Sequence, residues 1–180
     1  MAPRRRGWET LGDMARSLGV VLAVVAFVVL ITVRTGGQAV RLVDVAGMYS
    51  QARIGGTPFP LLRPVGLSPA WRPTSVYFEP PEVTGVPGVT LWHIGYVTPA
   101  DQYAGMEQTN GPAPNALSAA ISSPEPVGST DVAGSGWQRY SGNSGQRRAL
   151  VRTAGAVTVI VDGTATWAEL EQLAGSLSAT

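Results

Sequence analysis

From Ser17 to Val33 the chain runs for seventeen residues without a charge, bounded by Arg16 and Arg34. With Leu11, Met14 and Ala15 upstream, this run predicts an apolar helix of about twenty residues, enough to cross a hydrocarbon core roughly 30 Å thick. Thr10 followed by Asp13 sets its start near Leu11, with a hydroxyl and a carboxylate meeting the free amides of the first turn. Beyond Gly36 the long apolar run gives way to short patterns. Val40, Val43, Ala46-Gly47 and Ser50 predict a modest helix between Val40 and Ala52. Prolines at 58, 60, 64, 69 and 73 then exclude helix and central strand from the stretch between Gly55 and Pro73.

Alternation with a period of two takes over after Pro73. Val76 and Phe78 alternate with Ser75 and Tyr77 until Pro80-Pro81 ends the strand. The run Val89 to Thr98 carries the strongest strand pattern, with Leu91, His93, Gly95 and Val97 on one face and Trp92, Ile94 and Tyr96 on the other. Apolar residues on both faces predict a central strand covered on both sides. Tyr103 to Gln108 is expected to pair back on it, and Asn115 to Ser122 to form two helical turns capped by Asn115. Gly136 to Ser141, Arg147 to Thr153 and Val157 to Val161 read as three strands joined by Gly142-Asn143-Ser144-Gly145 and Ala154-Gly155. The closing helix has a capping box in Thr166 and Glu169, with Trp167, Leu170, Leu173-Ala174 and Leu177 along one side.

Runs of antiparallel strands with few helices give an α+β class, helices packed on an antiparallel sheet, preceded by a transmembrane helix. The expected divisions are a cytoplasmic N-terminus (1–10), a transmembrane helix (11–34), a juxtamembrane segment with a short helix (35–57) and an extracytoplasmic domain (58–180). A cleaved signal peptide has an apolar core of about 7–15 residues before a small-x-small site. The run here is longer, and Gly37-Gln38-Ala39 fits such a site poorly, so the segment is expected to remain. Four arginines before the run (4, 5, 6, 16) against two after it (34, 41) place the N-terminus in the cytoplasm.

All thirteen basic residues are arginine, and there is no cysteine. The domain can hold no disulfide and must rely on its core. Residues 35–180 carry eight arginines against ten carboxylates, a net of −2 that argues against a nucleic-acid partner. Arg147, Arg148 and Arg152 form the densest basic cluster, read as the charged guard of an edge strand. Ala15, Gly19 and Ala23 recur every fourth residue, a spacing of small side chains that lets helices approach closely in lipid.

Several segments together resemble one family: Trp71-Arg72, Trp92-His93-Ile94-Gly95-Tyr96-Val97-Thr98-Pro99, Tyr103, Glu107-Gln108, Trp137, Leu150-Val151-Arg152, and Val161 through Leu170. The family is DUF4245, actinobacterial single-pass membrane proteins without an assigned activity. The resemblance spans nearly the whole chain and implies location and domain extent, not chemistry. The order of elements also resembles the Mog1/PsbP-like α+β fold, and fold likeness carries no function.

Chemistry-bearing residues are sparse. His93 is the single histidine and, mid-strand on an apolar face, reads as a hydrogen-bonded core residue beside the space Gly95 leaves. Scattered carboxylates show no metal-ligand spacing, and no cofactor is implied. Glu107, sharing a face with Tyr103, is expected to pair with Arg139 or Arg152. Trp92, Tyr96 and Trp167 are expected between the sheet and the closing helix, as core or as an aromatic lining for a ligand. The ligand-binding candidates are therefore Trp92, Tyr96, Trp167, His93 and Glu107. The expected role is a membrane-anchored, non-catalytic binding module of the cell envelope with a lipid, glycan or protein partner. The alternatives are an enzyme acting on envelope polymers through carboxylates such as Glu107 or Asp101, and an assembly subunit joined through Ala15, Gly19 and Ala23.

Overall fold

The computed structural model describes residues 8–34 and 42–179; in the first helix, described side chains are those of Met14 and residues 16–30. The chain divides into two units, Met1–Ala39 and Val40–Thr180. The first contains α1 (Trp8–Arg34). Its large apolar side chains from Leu18 to Leu30 are each more than half exposed. Among the described residues no helix is long and apolar enough to cross a membrane.

The second unit is α+β. Helix α2 (Val45–Gly55) starts one turn later than the Val40 expected, because Asp44 Oδ1 accepts the Gly47 N–H at 2.9 Å. The elements that follow are β1 (Arg63–Pro64), β2 (Arg72–Glu79), α3 (Pro81–Thr84), β3 (Leu91–Val97) and β4 (Tyr103–Thr109). Then come α4 (Ala113–Ala120), β5 (Glu125–Val132), β6 (Ser135–Gly142), β7 (Arg147–Ala154), β8 (Val157–Gly163), α5 (Trp167–Gly175) and β9 (Leu177–Ser178). Seven strands form one antiparallel sheet in the order β2-β3-β4-β8-β7-β6-β5, and β1 pairs with β9 separately. Two meanders, β2 to β4 and β5 to β8, thus meet where β8 lies along β4.

Side-chain parity sends Trp92, Ile94, Tyr96, Met106, Leu150 and Val161 to one face, where they form the main core with Tyr49 and Ala52 of α2 and Leu170, Leu173 and Ala174 of α5. Helix α2 therefore packs as part of the same core as the strands. The Trp92 ring meets Tyr49 edge-on at 6.2 Å, and its Nε1–H donates to the Leu62 carbonyl at 2.8 Å. The proline-rich stretch wraps this core: Phe59 and Leu61 are buried, and Gln108 accepts from Leu62 N and donates to the Pro60 carbonyl, both at 2.9 Å. On the other face α4 covers only part of the sheet, with Leu117 and Ile121 over Ala149 and Ile160.

The Thr166–Glu169 capping box forms as expected. Asn143 and Ser144 both adopt positive φ, at 53° and 55°, in the turn between β6 and β7, as a tight hairpin connection needs. Three expectations are corrected. Helix α4 begins after Pro112, whose fixed φ suits a helix start, so Asn115 lies inside the helix and caps nothing. Strand β7 is not an edge strand, because β5 and β6 lie outside it. Arg148 and Arg152 instead reach the main core face, over Trp167 and Trp137.

Candidate functional site

The half of the second face that α4 leaves uncovered, over β2, β3 and β4, carries the polar cluster. Its floor is set by two glycines directly opposite one another, Gly95 on β3 and Gly105 on β4. A Cβ on Gly105 would lie 2.7 Å from the Tyr103 hydroxyl and 3.3 Å from His93 Cε1, and one on Gly95 would collide with Ser75 Oγ. Only glycine lets the Tyr103 ring settle over both strands. A strand interior otherwise disfavours glycine, and its presence marks a close approach of this kind.

His93 sits at the centre. Its Nε2 is 3.2 Å from Ser75 Oγ and 3.3 Å from the Tyr103 hydroxyl, and the Tyr77 ring stacks on the imidazole at 4.4 Å and 12°. Its Nδ1 is buried without a partner. Burial disfavours the charged ring and lowers its pKa to about 4, so the histidine is neutral near pH 7.

Glu107 lies directly across from His93 on β4. Burial first, then the nearby Asp162 and Glu79 carboxylates, raise its pKa to about 7. Asp162 on β8 is also raised, to about 6, by burial that outweighs its ion pair with Arg147 Nη2 at 2.6 Å. The Arg147 guanidinium lies 5.6 Å from the Tyr103 ring centroid. Tyr77 and Tyr103 are both pushed up to about 12, chiefly by burial. The cluster thus holds a neutral imidazole, neutral phenols and two reluctant carboxylates, of which one has an internal cation. Among the described residues, no group of three or more His, Cys, Asp or Glu stands ready to hold a metal.

The structure brings two of the five candidate residues together. His93 and Glu107 are cross-strand neighbours in this cluster. Trp92 and Tyr96 point to the opposite face and are buried, Tyr96 against Trp71 at 6.2 Å. Trp167 lies under the Arg139 and Arg148 guanidiniums, 5.0 and 6.0 Å from its ring centroid. The expected pairing of Glu107 with Arg139 or Arg152 does not form. Parity puts those arginines on the other face, where Arg139 pairs with Glu171 and Arg152 donates to Ser135 Oγ at 2.8 Å. Asp101 is a surface residue paired with Arg72. In α1, Gly19 and Ala23 are exposed, and the Ala15 side chain lies outside those described.

Sequence reasoning missed Ser75, Tyr77, Asp162 and Arg147. Each sits at the parity that shares His93's face, but only the strand order shows that β8 and β7 bring Asp162 and Arg147 beside it. A separate cleft of about 550 Å³ lies under α4, lined by Leu117, Pro124, Gln138, Tyr140, Val151 and Thr153.

Fold and site define a small α+β domain with helices on both faces of its sheet and a carboxylate–imidazole–phenol cluster on the open part of one. The chain belongs to the family described as protein of unknown function (DUF4245), whose model matches residues 6–177. No curated protein and no solved structure matches it.

Proposed function

We propose that the chain is a membrane-tethered binding module, held by α1 and presenting the open sheet face to a ligand or partner in the cell envelope. The observation that carries this reading is the belt of apolar side chains on α1, all more than half exposed from Leu18 to Leu30. A contiguous exposed apolar surface of that extent calls for lipid or a partner helix. The uncharged sequence continues to Val33, long enough with its flanks for a single pass. The arginine bias puts the N-terminus in the cytoplasm and Val40–Thr180 outside. The PsbP-like resemblance of element order belongs to this reading as a statement of fold alone.

Fractionation tests the tether: the full chain stays with membranes after alkaline carbonate, and a chain lacking residues 8–34 does not. Recovery of both in the soluble fraction refutes it. Native mass spectrometry of the protein drawn gently from its own envelope tests the binding role, and a reproducible added mass is the expected result. A second reading, polymer modification with Glu107 as general acid, is favoured by the carboxyl held near 7. Release of fragments from isolated envelope, abolished by Glu107→Gln, would put that reading ahead.

A further inference from the structure

The cleft of about 550 Å³ under α4 has the volume of a small-ligand site. Gly136, Gln138 and Tyr140 alternate along β6 to form its floor, with Val151 and Thr153 beside them on β7. Leu117 and Ser118 of α4 form a wall. From Gly136 to Tyr140 the floor runs about 13 Å at the ordinary rise of a strand.

Gly136 is the unexpected part of that floor. Gly134, in the adjoining turn, has φ of 75° and serves the backbone, but Gly136 has no positive φ, and a Cβ built on it would meet nothing within 4 Å. It differs in this from Gly95 and Gly105, which make room for the chain's own side chains. Glycine in a strand costs chain entropy. Where neither conformation nor internal packing asks for it, it marks a place where something from outside comes close to the backbone.

The lining also limits what that something is. No charged group points into the cleft. Arg152 borders it, but its guanidinium lies on the other face, bonded to Ser135 Oγ at 2.8 Å and over the Trp137 ring. Asp131, across from Gly136 on β5, accepts the Gly134 N–H of its own turn at 3.0 Å. A charged ligand would lose hydration here without gaining a counter-charge. An extended peptide would find no backbone partners, since β6 is paired with β5 on one side and β7 on the other. A plain alkyl chain would cover polar groups without satisfying them. Among the described residues, the side chains of Ser118, Gln138 and Tyr140 make no hydrogen bond within the chain and are not buried orphans, so they face water.

We propose that this cleft is a binding site for a neutral glycan chain, with Tyr140 under a pyranose CH face, Ser118 and Gln138 on ring hydroxyls, and Gly136 giving the sugar its place on the floor. Pyranose chains carry apolar CH faces and hydroxyls together and no charge, which is what the lining can satisfy. This deepens the binding reading above by naming a place and a ligand class, and it does not depend on the tether.

The full chain in lipid nanodiscs is mixed in turn with cellohexaose, maltohexaose and N-acetylchitohexaose, with hexagalacturonate as a charged counterpart and a blocked (Ala-Pro)₃ peptide as a chain without hydroxyls. Saturation-transfer difference NMR reads contact with each. At least one neutral hexaose is expected to show saturable transfer strongest at the CH protons of one ring face, with hexagalacturonate and the peptide much weaker. Gly136→Leu fills the floor and weakens the sugar about tenfold or more. The open space around Gly136 lets that variant keep its fold, checked by unchanged tryptophan fluorescence. Tyr140→Leu weakens it about three- to tenfold. Equal binding in Gly136→Leu, equal transfer to hexagalacturonate, or a preference for the peptide overturns the proposal. No transfer to any neutral hexaose, with an adduct still seen by native mass spectrometry, overturns the glycan cleft and leaves the binding reading standing. A saturable, Gly136-dependent titration of a chain that leaves its envelope bare upholds the cleft and counts against that reading's tightly held envelope ligand.

Discussion

Replacing Glu107 by Gln tests the electrostatics of the open face through stability. The Glu107 carboxyl moves from an ordinary 4.5 to about 7 in the folded state, so the folded chain holds this proton more tightly than the unfolded chain. Stability from this group is fully present below about 4.5, falls as pH rises towards 7, and stays lost above. The difference between those values corresponds to about 3 kcal/mol, and partial exposure of the carboxylate brings the expectation to about 1–3 kcal/mol. Other groups act across the same range: Asp162 in the same direction, and His93 in the opposite one, since its lowered pKa makes stability rise between about 4 and 6.5. Absolute stability curves therefore mix these terms, and the difference between variant and wild type at each pH isolates Glu107. Gln has nearly the same shape and no charge. The expected difference is close to zero at pH 4 and favours the variant by about 1–3 kcal/mol at pH 8. Urea unfolding followed by tryptophan fluorescence supplies both values, because four of the five tryptophans lie in Val40–Thr180. A difference that stays constant from pH 4 to 8 would refute the claim that Glu107 is held protonated by its surroundings.

Arg147→Met strands the buried Asp162 charge and should lower stability at pH 8 by about 2–3 kcal/mol, with most of the loss recovered in the Arg147→Met, Asp162→Asn double variant. Denaturant midpoints for the three chains decide it. Gly95→Ala pushes a methyl group against Ser75 Oγ and Tyr103, with an expected loss of about 1–3 kcal/mol, read by thermal unfolding; a neutral result removes the close-approach argument. Thr166→Ala removes the acceptor for the Glu169 N–H and should weaken the domain by about 1 kcal/mol, visible as a small shift in urea midpoint without a change in slope.

Local patterns made the strands β2, β3, β4, β6, β7 and β8 and helix α5 legible, because each carries either a period of two or a cap with an apolar stripe. Strand β5 was not legible. Its residues are mostly exposed, it is interrupted at Pro126 and Gly128, and it is held by pairing with β6 on one side only. The short β1 and β9 pair across more than a hundred residues, a tertiary contact that no local window contains. His93 and Glu107 could be named because they lie on adjacent strands joined by a short turn. Asp162 and Arg147 could not, since their place beside Tyr103 depends on β8 docking against β4 rather than following it in sequence.

The same docking explains why the polar cluster does not unravel the sheet. A face over β2, β3 and β4 without a helix would ordinarily expose the ladder or demand an apolar cover. Here Tyr103 folds back over the paired glycines, and Tyr77 lies flat on His93, so two phenol rings supply apolar cover that α4 is too short to give. Phenols can do this and still offer a polar edge; the Tyr103 hydroxyl reaches the His93 ring. On the main core face, no such arrangement is needed, because α2 and α5 cover Trp92, Met106 and Val161. The asymmetry leaves one face of the sheet committed to stability. The other keeps Glu107 outside the ion pairs of the described residues and the His93 Nδ1 buried without a partner, so two phenol rings rather than a helix shield its polar cluster from water.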